Sequence, residues 1–351
     1  MTKGGAERNL NYILWHLENK YKIILVTNRI AESEYNIPSS VERINIGNYP
    51  KKGILGRIKG IFWRQSELKR IYLEEKPDSV LCFLGKNAFR FILAIGKKKN
   101  CPIVGAIRQN PVYDFGKGVY RFAANRVLRK LDTLVCQSSS QKEYFCKKIQ
   151  SKTVIIRNPI GESFNREPFE GIRKPFVVSV GRLDDNKNHA LLIKSFVKLN
   201  AIHPETRLYI FGEGPAREKL EKLCIDMGLS ESVFLPGVVE NVADKIIDAR
   251  VYVMSSISEG MPNALMEAMA LGLPVISTDF EGGVARELIN NGENGILVPN
   301  RDCEAMSEKL IQLWEDEVLC RKIGQKATYI RDMCSMNTIC NEWDKAIFPE
   351  K

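Results

Sequence analysis

The sequence predicts an α/β fold of two doubly wound domains, each a parallel sheet with helices on both faces. Three observations point there. Short β-rich runs alternate with helical stretches along the whole chain. Strand-like runs end repeatedly in glycine or polar residues just ahead of an apolar-periodic helix. At 351 residues the chain is long for one core, so two domains of ordinary size are expected.

In the first half, strands are expected at 21–28 (YKIILVTN), 41–47 (VERINIG), 79–85 (SVLCFLG), 102–107 (PIVGAI), 133–138 (TLVCQS) and 153–158 (TVIIRN). In the second half they are expected at 176–181 (FVVSVG), 207–212 (RLYIFG), 233–237 (VFLPG), 251–256 (VYVMSS), 274–278 (PVIST) and 295–298 (GILV). Residues 158–175 carry turn signals, mixed charge and no periodicity, and read as the linker. The expected domains are therefore 1–160 and 161–335, with 336–351 a C-terminal helix crossing back to the first. Ligands of such sheets sit beyond the carboxyl ends of the strands, in a cleft between the domains.

An apolar content of 44% and a charged content of 27% are those of a soluble globular protein. No run of ~18 apolar residues marks a membrane span, and the start shows no signal-peptide pattern. Nine scattered cysteines, none in a Cys-x-x-Cys pair, argue for buried thiols in a reducing compartment; the cytoplasm is the expected address. The three histidines His16, His189 and His203 stand far apart, which disfavours a histidine-rich metal site. The net charge of +10 is uneven: residues 1–170 carry +16 and the remainder −6. One half should therefore meet something anionic. Nucleic acid is disfavoured, because no known module interleaves aromatics with the basic residues.

The second half carries the candidate chemistry. In VGRLDDNKNHALLIKSF, Arg182 and Lys187 lie in a polar loop between a strand and an apolar helix, a reasonable diphosphate clamp. The alternative is a solvated loop. In SISEGMPNALMEAMALGLPVIST, a strand leads into Glu259, Gly260, Met261, Pro262 and Asn263, then into a helix holding Glu267. Pro262 suits the first helical turn, and outward-pointing amides from Gly260 to Asn263 would take an anion or hydroxyls. Two carboxylates flanking free amides suit a polyhydroxyl group attached to phosphate. The alternative is that Glu259 caps the helix dipole and Glu267 is solvated. FGEGPAR (211–217) gives half of a dinucleotide fingerprint, but Arg217 stands at the third glycine position.

The motifs GRLDDNKN, GEGPAREKLE, FLPG, SEGMPNALMEAMALGLPVIST and GENGILVPN resemble, in order and spacing, the retaining GT-B glycosyltransferases of family 4. The match spans about 175–300. GGAER, KPDSVLCFLG, CQSSSQKEYF and IRNPI extend a looser likeness to the first half. The resemblance implies two Rossmann-like domains facing across a cleft. It implies that Arg182 and Lys187 bind the pyrophosphate of a nucleotide sugar and that Glu259 bonds sugar hydroxyls. Backbone amides from Gly260 to Asn263 would contact sugar and phosphate, and Glu267 the ribose. Gly237 and Val238 would lie at the base, with Gly4 and Gly5 approaching the diphosphate from the other domain. It further implies a retaining, metal-independent transfer in which the leaving phosphate assists the acceptor hydroxyl, so no cofactor is expected. The expected donor is a UDP-sugar and the expected acceptor a lipid-linked saccharide or oligosaccharide. Many relatives carry a histidine after the strand matching PIVGAI; here the segment reads RQNPVYD, with Arg108 and Asn110 in that region. A nucleotide-sugar epimerase and a non-catalytic nucleotide-binding relic are the alternatives.

Two further expectations concern the basic half. Residues 51–70 place Ile54, Leu55, Ile58, Ile61 and Phe62 on one helical face, with Lys51, Lys52, Arg57, Lys59 and Arg64 around it. With GKKKN and RFAANRVLRK, this suggests peripheral contact with the anionic inner face of the cell membrane. The pair Gly4-Gly5 stands where a strand-to-helix turn is expected, with three residues ahead of it. In the family that pair ends a central strand, so roughly ten further residues are expected ahead of Met1. A gap or a poorly paired seam is then expected beside residues 21–28.

Overall fold

A computed structural model describes residues 4–28, 30, 34–47 and 53–348. The chain divides into two compact units, Met1–Pro159 with Asn337–Lys351, and Ile160–Met336. The first runs α1 (Gly5–Leu17), β1 (Ile24–Thr27), β2 (Glu42–Asn45), α2 (Gly53–Glu75), β3 (Val80–Phe83) and α3 (Gly85–Ile95). It continues with β4 (Ile103–Ala106), α4 (Pro111–Phe115), α5 (Gly118–Leu128), β5 (Thr133–Cys136), α6 (Ser139–Glu143), α7 (Lys147–Gln150) and β6 (Thr153–Ile155). The second runs β7 (Lys174–Val180), α8 (His189–Ile202), β8 (Arg207–Phe211), α9 (Arg217–Asp226), β9 (Val233–Gly237), α10 (Val242–Ile246), β10 (Ala249–Met254) and α11 (Asn263–Ala270). Then come β11 (Val275–Thr278), α12 (Val284–Leu288), β12 (Ile296–Val298), α13 (Cys303–Glu315), α14 (Glu317–Ala327) and α15 (Ile330–Met333), and α16 (Met336–Ile347) returns to the first unit. Each strand lies within or overlaps a stretch read as strand from the sequence, and every pairing is parallel.

In the first unit, β3-β4-β5-β6 form one sheet, and β1-β2 form another. Alternate residues of the four-stranded sheet enter opposite cores, as a period of two requires. Ile103, Ile107, Leu134 and Cys136 pack with Tyr72 of α2 and Phe91 of α3. Val104, Ala106 and Val135 pack with Ile13 of α1 and Trp343 of α16. Helix α16 is also tied by polar contacts: the Asp344 carboxylate accepts from Lys20 Nζ at 2.9 Å and the Tyr21 hydroxyl at 2.8 Å. No helix among the described residues is long and apolar enough to cross a membrane.

The second unit holds one six-stranded sheet in the order β12-β11-β10-β7-β8-β9. The reading of 158–175 as a linker needs correction. Ile160 and Phe164 are buried in this unit's core, and the Ile160 amide donates to Cys334 O at 2.8 Å. The Arg173 guanidinium donates to the carbonyls of Ile247, Ala249 and Gly272. The two apolar residues lie four apart among turn residues, too sparse a signal to read as packing.

Glycines decide how closely the loops after β7 and β8 approach. A Cβ on Gly212 (φ +140°) would stand 1.9 Å from Gly181 O, and one on Gly214 would stand 2.3 Å from Leu183 O. The backbones touch instead: Leu183 N donates to Glu213 O at 3.0 Å and Ala216 N to Leu183 O at 2.9 Å. FGEGPAR is thus a backbone-to-backbone clasp, and its glycines are explained without a dinucleotide. Loop 181–188 then delivers the chain to α8, whose first residue, His189, is buried.

Two outcomes follow. Gly214→Ala should destabilise the second unit by about 2–4 kcal/mol, because the new methyl meets backbone that cannot move away. Gly292→Ala (φ +79°, open space around it) should cost only about 1 kcal/mol of conformational strain. Urea titrations at matched slope would compare them. The second outcome concerns pH. Burial, reinforced by the charge of Lys187, pushes the His189 imidazole down from 6.5 to about 4. The unfolded chain therefore binds the extra proton first. This contribution to stability is complete above about pH 6.5 and is lost as pH falls towards 4, by about 3 kcal/mol. His189→Gln should flatten that part of the urea-midpoint profile.

Candidate active site

Four adjacent strands of the second unit, β10, β7, β8 and β9, bring their carboxyl ends together, and the loops leaving them carry most of the residues singled out from sequence. Loop 181–188 leaves β7. Its Asp184 carboxylate accepts the Lys187 amide at 2.9 Å and pairs with Arg182 Nε at 3.0 Å. Asn188 turns the chain into α8 through the left-handed region (φ +49°).

The loop leaving β10 is stitched to it. Ser255 Oγ donates to Lys187 O at 2.9 Å, Ile257 N to Asn186 O at 2.8 Å, and Asn186 Nδ2 to Ser258 O at 2.8 Å. From the far side, Asn300 Nδ2 donates to Ile257 O at 2.9 Å, and Thr278 Oγ1 to Ser256 O at 2.6 Å. The result is an ion pair between Lys187 Nζ and Glu259 Oε1 at 2.6 Å, with side chains 21% and 13% exposed. The two residues are 72 positions apart in sequence.

Helix α11 begins at Asn263, so Pro262 is its N-cap, just ahead of the first helical turn to which the sequence had assigned it. Glu267, the fifth residue of the helix, is only 7% exposed, which removes the reading of it as a solvated residue. The buried Tyr252 of β10 lies within electrostatic reach of both carboxylates. Burial raises its phenol above the ordinary range, and the charges of Glu267 and then Glu259 raise it further. Both glutamates therefore act on one neighbourhood. Met261 and Pro262 are buried, Met261 within the apolar core, while Gly260 and Asn263 are partly exposed.

Arg182 is 70% exposed and paired with Asp184; it is not drawn to Glu259. Gly237 closes β9 at φ +84°, its carbonyl accepting the Gly212 amide at 2.8 Å, and Val238 beyond it is 78% exposed. A Cβ on Gly237 would stand 3.1 Å from Glu213 Oε1, whose carboxylate is held by Arg217. Arg217 also binds Glu221 and Leu235 O, which accounts for an arginine at the third fingerprint position. Gly4 and Gly5 belong to the first unit, as N-cap (φ −103°, ψ 167°) and first residue of α1. In that unit Arg108 follows β4, buried. Its guanidinium lies over Phe83 (5.1 Å) and Trp343 (5.6 Å) and bonds the Asn158 carboxamide. Burial pushes it down to about 9.

Sequence reasoning read Asp184 as an ordinary loop residue and passed over Asn186, Tyr252 and Asn300. Asp184 and Asn186 carried a signal, since Asp and Asn in a short loop bond nearby backbone. Tyr252 in a strand and Asn300 in a distant loop carried none. Among the described residues, no group of three or more His, Cys, Asp or Glu could hold a metal ion.

Comparison with known proteins follows the same division. Residues 3–163 match Glycosyltransferase Family 4, and residues 163–329 match Glycosyl transferases group 1. Two Campylobacter jejuni proteins align along most of the chain. The N-acetylgalactosamine-N,N'-diacetylbacillosaminyl-diphospho-undecaprenol 4-alpha-N-acetylgalactosaminyltransferase is 27% identical over 93% of this chain and 91% of its own. The GalNAc-alpha-(1->4)-GalNAc-alpha-(1->3)-diNAcBac-PP-undecaprenol alpha-1,4-N-acetyl-D-galactosaminyltransferase is 26% identical over 99% and 96%. Among solved structures, Anabaena HepE in complex with UDP and glucose aligns with a TM-score of 0.78 at 16% identity, covering 99% of this chain and 96% of that one. The lipopolysaccharide outer core galactosyltransferase WaaB aligns at 0.76 and 20%, covering 99% and 96%. The chain belongs to the GT-B glycosyltransferases, with a family 4 domain followed by a group 1 domain.

Proposed function

We propose that this glycosyltransferase moves a sugar from a UDP-sugar to a lipid-linked saccharide with retention at the anomeric carbon, without a metal or other cofactor, in surface polysaccharide or glycan assembly. The observation that carries the reading is the Lys187–Glu259 pair at the carboxyl ends of β7 and β10. An ammonium has three donors, so Lys187 can keep Glu259 while reaching a phosphate oxygen. Arg182 adds an exposed guanidinium beside it, and the first-turn amides of α11 supply a helix N-terminus for the same diphosphate. Glu259 accepts from sugar hydroxyls and Glu267 from the ribose. In the transfer, the bond from the anomeric carbon to the β-phosphate oxygen breaks. The acceptor oxygen bonds the same face, and its proton passes to the departing phosphate. Fixed cations and amides stabilise the charge that develops there.

Support for the donor comes from the neighbours: HepE is described with UDP and glucose, and a mutant form of S. aureus TarM with Fondaparinux, alpha-GlcNAc-glycerol and UDP. Support for the acceptor comes from the two Campylobacter enzymes, both described on diphospho- or PP-undecaprenol. Contact with an anionic membrane surface at the inner face of the cell membrane, in the cytoplasm, is the matching address. Ile61 and Phe62 of α2 are 51% and 66% exposed. Lys51 and Lys52, and the side chains of Ile54, Leu55, Arg57 and Ile58, lie outside the described residues. On α5, Val119, Tyr120 and Phe122 are 68–80% exposed, and no acidic residue occurs between Phe115 and Leu131. Exposed aromatics among Lys117, Arg126 and Arg129 suit a headgroup layer.

A panel of UDP-sugars incubated with membrane extracts, with products read by mass spectrometry, should give one sugar-extended lipid. Donor hydrolysis or sugar epimerisation with no transfer to any acceptor would overturn the assignment. With the active donor, Glu259→Gln and Lys187→Ala should each lower kcat/KM on the order of 100- to 1,000-fold. Glu267→Gln should weaken UDP binding about tenfold in calorimetry. Product NMR should show the donor's anomeric configuration, and EDTA should leave the rate unchanged. The double variant Tyr120→Ser/Phe122→Ser should cut co-sedimentation with phosphatidylglycerol vesicles about tenfold while leaving UDP affinity intact.

A further inference from the structure

Helix α5 packs Ala124 and Leu128 into the core of the first unit and turns another face outward. On that face Arg121, Asn125 and Arg129 form one row at a spacing of four, and Phe122 and Arg126 form the row beside it. With Cys146, which precedes α7, these side chains line a cavity of about 280 Å³.

Hydrogen bonds fix its walls. The buried Asn125 carboxamide accepts from Cys146 N at 2.7 Å and donates to Arg121 O at 2.8 Å, which ties the segment before α7 to α5. Arg121 lies over the Tyr144 ring at 4.9 Å, and its Nε donates to Tyr144 O at 2.6 Å. Among the described residues, none of Arg121, Arg126 and Arg129 is paired with a carboxylate, and the Arg126 guanidinium has no hydrogen-bond partner. Cations gathered around one concavity repel each other, and an anion between them relieves that repulsion. Cys146 shows that the cavity favours negative charge. Burial alone would raise its thiol, yet hydrogen bonding from Arg129 and the Ile149 amide, with the charge of Arg129, takes it below the ordinary range.

Shape and surroundings narrow the class of anion. Guanidinium forks match phosphate oxygens two at a time and are weakly hydrated, so they suit a phosphate. The volume lies just under the ~300 Å³ at which small-molecule sites begin, room for a phosphate with a small substituent. The rim is apolar: Phe122 lines the cavity and is 68% exposed, and Val119 and Tyr120 on the same helix are 80% and 78% exposed. A cationic lining beside an apolar rim matches a head group whose acyl chains continue into a hydrocarbon layer.

We propose that this cavity binds the phosphodiester of an anionic phospholipid head group, with Arg126 and Arg129 as its direct ligands and Phe122 against the lipid. The inference rests on the reading of the first unit as meeting an anionic membrane, and deepens it by giving one phosphate a defined seat. Spread charge attracts the chain to a surface; the cavity fixes how α5 lies on it.

The variant Arg126→Lys/Arg129→Lys keeps both charges and removes both forks. Its affinity for phosphatidylglycerol vesicles should fall about tenfold, with Tm and UDP affinity unchanged. Alkylation of Cys146 by iodoacetamide, read by peptide mass spectrometry, gives a second measurement. Phosphatidylglycerol vesicles should slow it about tenfold in the wild-type chain, and phosphatidylcholine vesicles should leave it unchanged. Millimolar glycerol phosphate should slow it in the wild type and not in the double variant. Equal vesicle binding by the two proteins, or alkylation of Cys146 at the same rate with and without phosphatidylglycerol, would overturn the head-group site and leave membrane contact through spread charge standing. A wild-type chain that binds no phosphatidylglycerol vesicle would overturn the membrane reading itself. Shielding of Cys146 by glycerol phosphate in that case would assign the cavity to a free phosphate ester.

Discussion

The candidate site depends on two backbones touching. With no side chain at Gly212 or Gly214, the segment after β8 lies directly on Gly181–Leu183, where a Cβ would stand 1.9 Å or 2.3 Å from a carbonyl oxygen. That clasp fixes the start of loop 181–188. Asp184 then folds the loop on itself, and Asn186 and Ser255 bind it to the loop after β10. Lys187 reaches Glu259 only because each of these steps holds. Pre-organisation of this kind suits a site that must meet developing charge without rearranging. It also places a stability cost on the second unit's glycines that ordinary helix and strand propensities would not suggest.

The first unit is assembled under a different constraint. Its four-stranded sheet buries alternate residues of β4 and β5 in two cores, while β1 and β2 stand as a separate pair. Arg108 lies where the edge of β3, the end of β4 and α16 meet. It is stacked over Phe83 and Trp343 and hydrogen-bonded to Asn158, with no carboxylate paired to it among the described residues. A buried cation held by rings and a carboxamide keeps its charge at a cost, which its lowered pKa expresses. The fold accepts that cost where three elements must be joined by one side chain.

How much of this was legible follows from what a sequence encodes. Strand positions and the α/β class were legible because apolar runs and the polar or glycine turns that end them are local signals. The nearness of Glu259 and Glu267 was legible because both lie on one short stretch, either side of a helix start. The pairing of Lys187 with Glu259 over 72 positions was not, since it depends on which strands are neighbours in a sheet. Nor was the packing of Ile160 and Phe164, two apolar residues in an otherwise polar stretch. The N-cap position of Pro262 was missed by one residue, because proline is tolerated on either side of a helix start. The glycines of FGEGPAR were visible, but their purpose was not: a fingerprint and a backbone clasp ask for the same residue for the same lack of a Cβ.

Charge gives the sharpest case of local geometry outweighing composition. Residues 171–351 carry a net −6, which would argue against an anionic ligand if net charge decided binding. At the carboxyl ends of β7 and β10, however, Lys187 is only 21% exposed and Arg182 stands beside it in the same loop. A partly desolvated ammonium acts through a lower effective dielectric than the solvated acids elsewhere on the unit, whose fields salt screens within about 10 Å. Each of the two cations keeps a carboxylate partner, Glu259 for Lys187 and Asp184 for Arg182, so local pairing and not the unit's net charge sets the field at these strand ends. The +16 of residues 1–170 works at the opposite scale. Much of it is exposed, spread over α2, α5 and the loop after α3, as attraction to an extended anionic surface requires. One chain thus distributes charge in two ways: spread over exposed helices and loops in the first unit, and held in local ion pairs at the strand ends in the second.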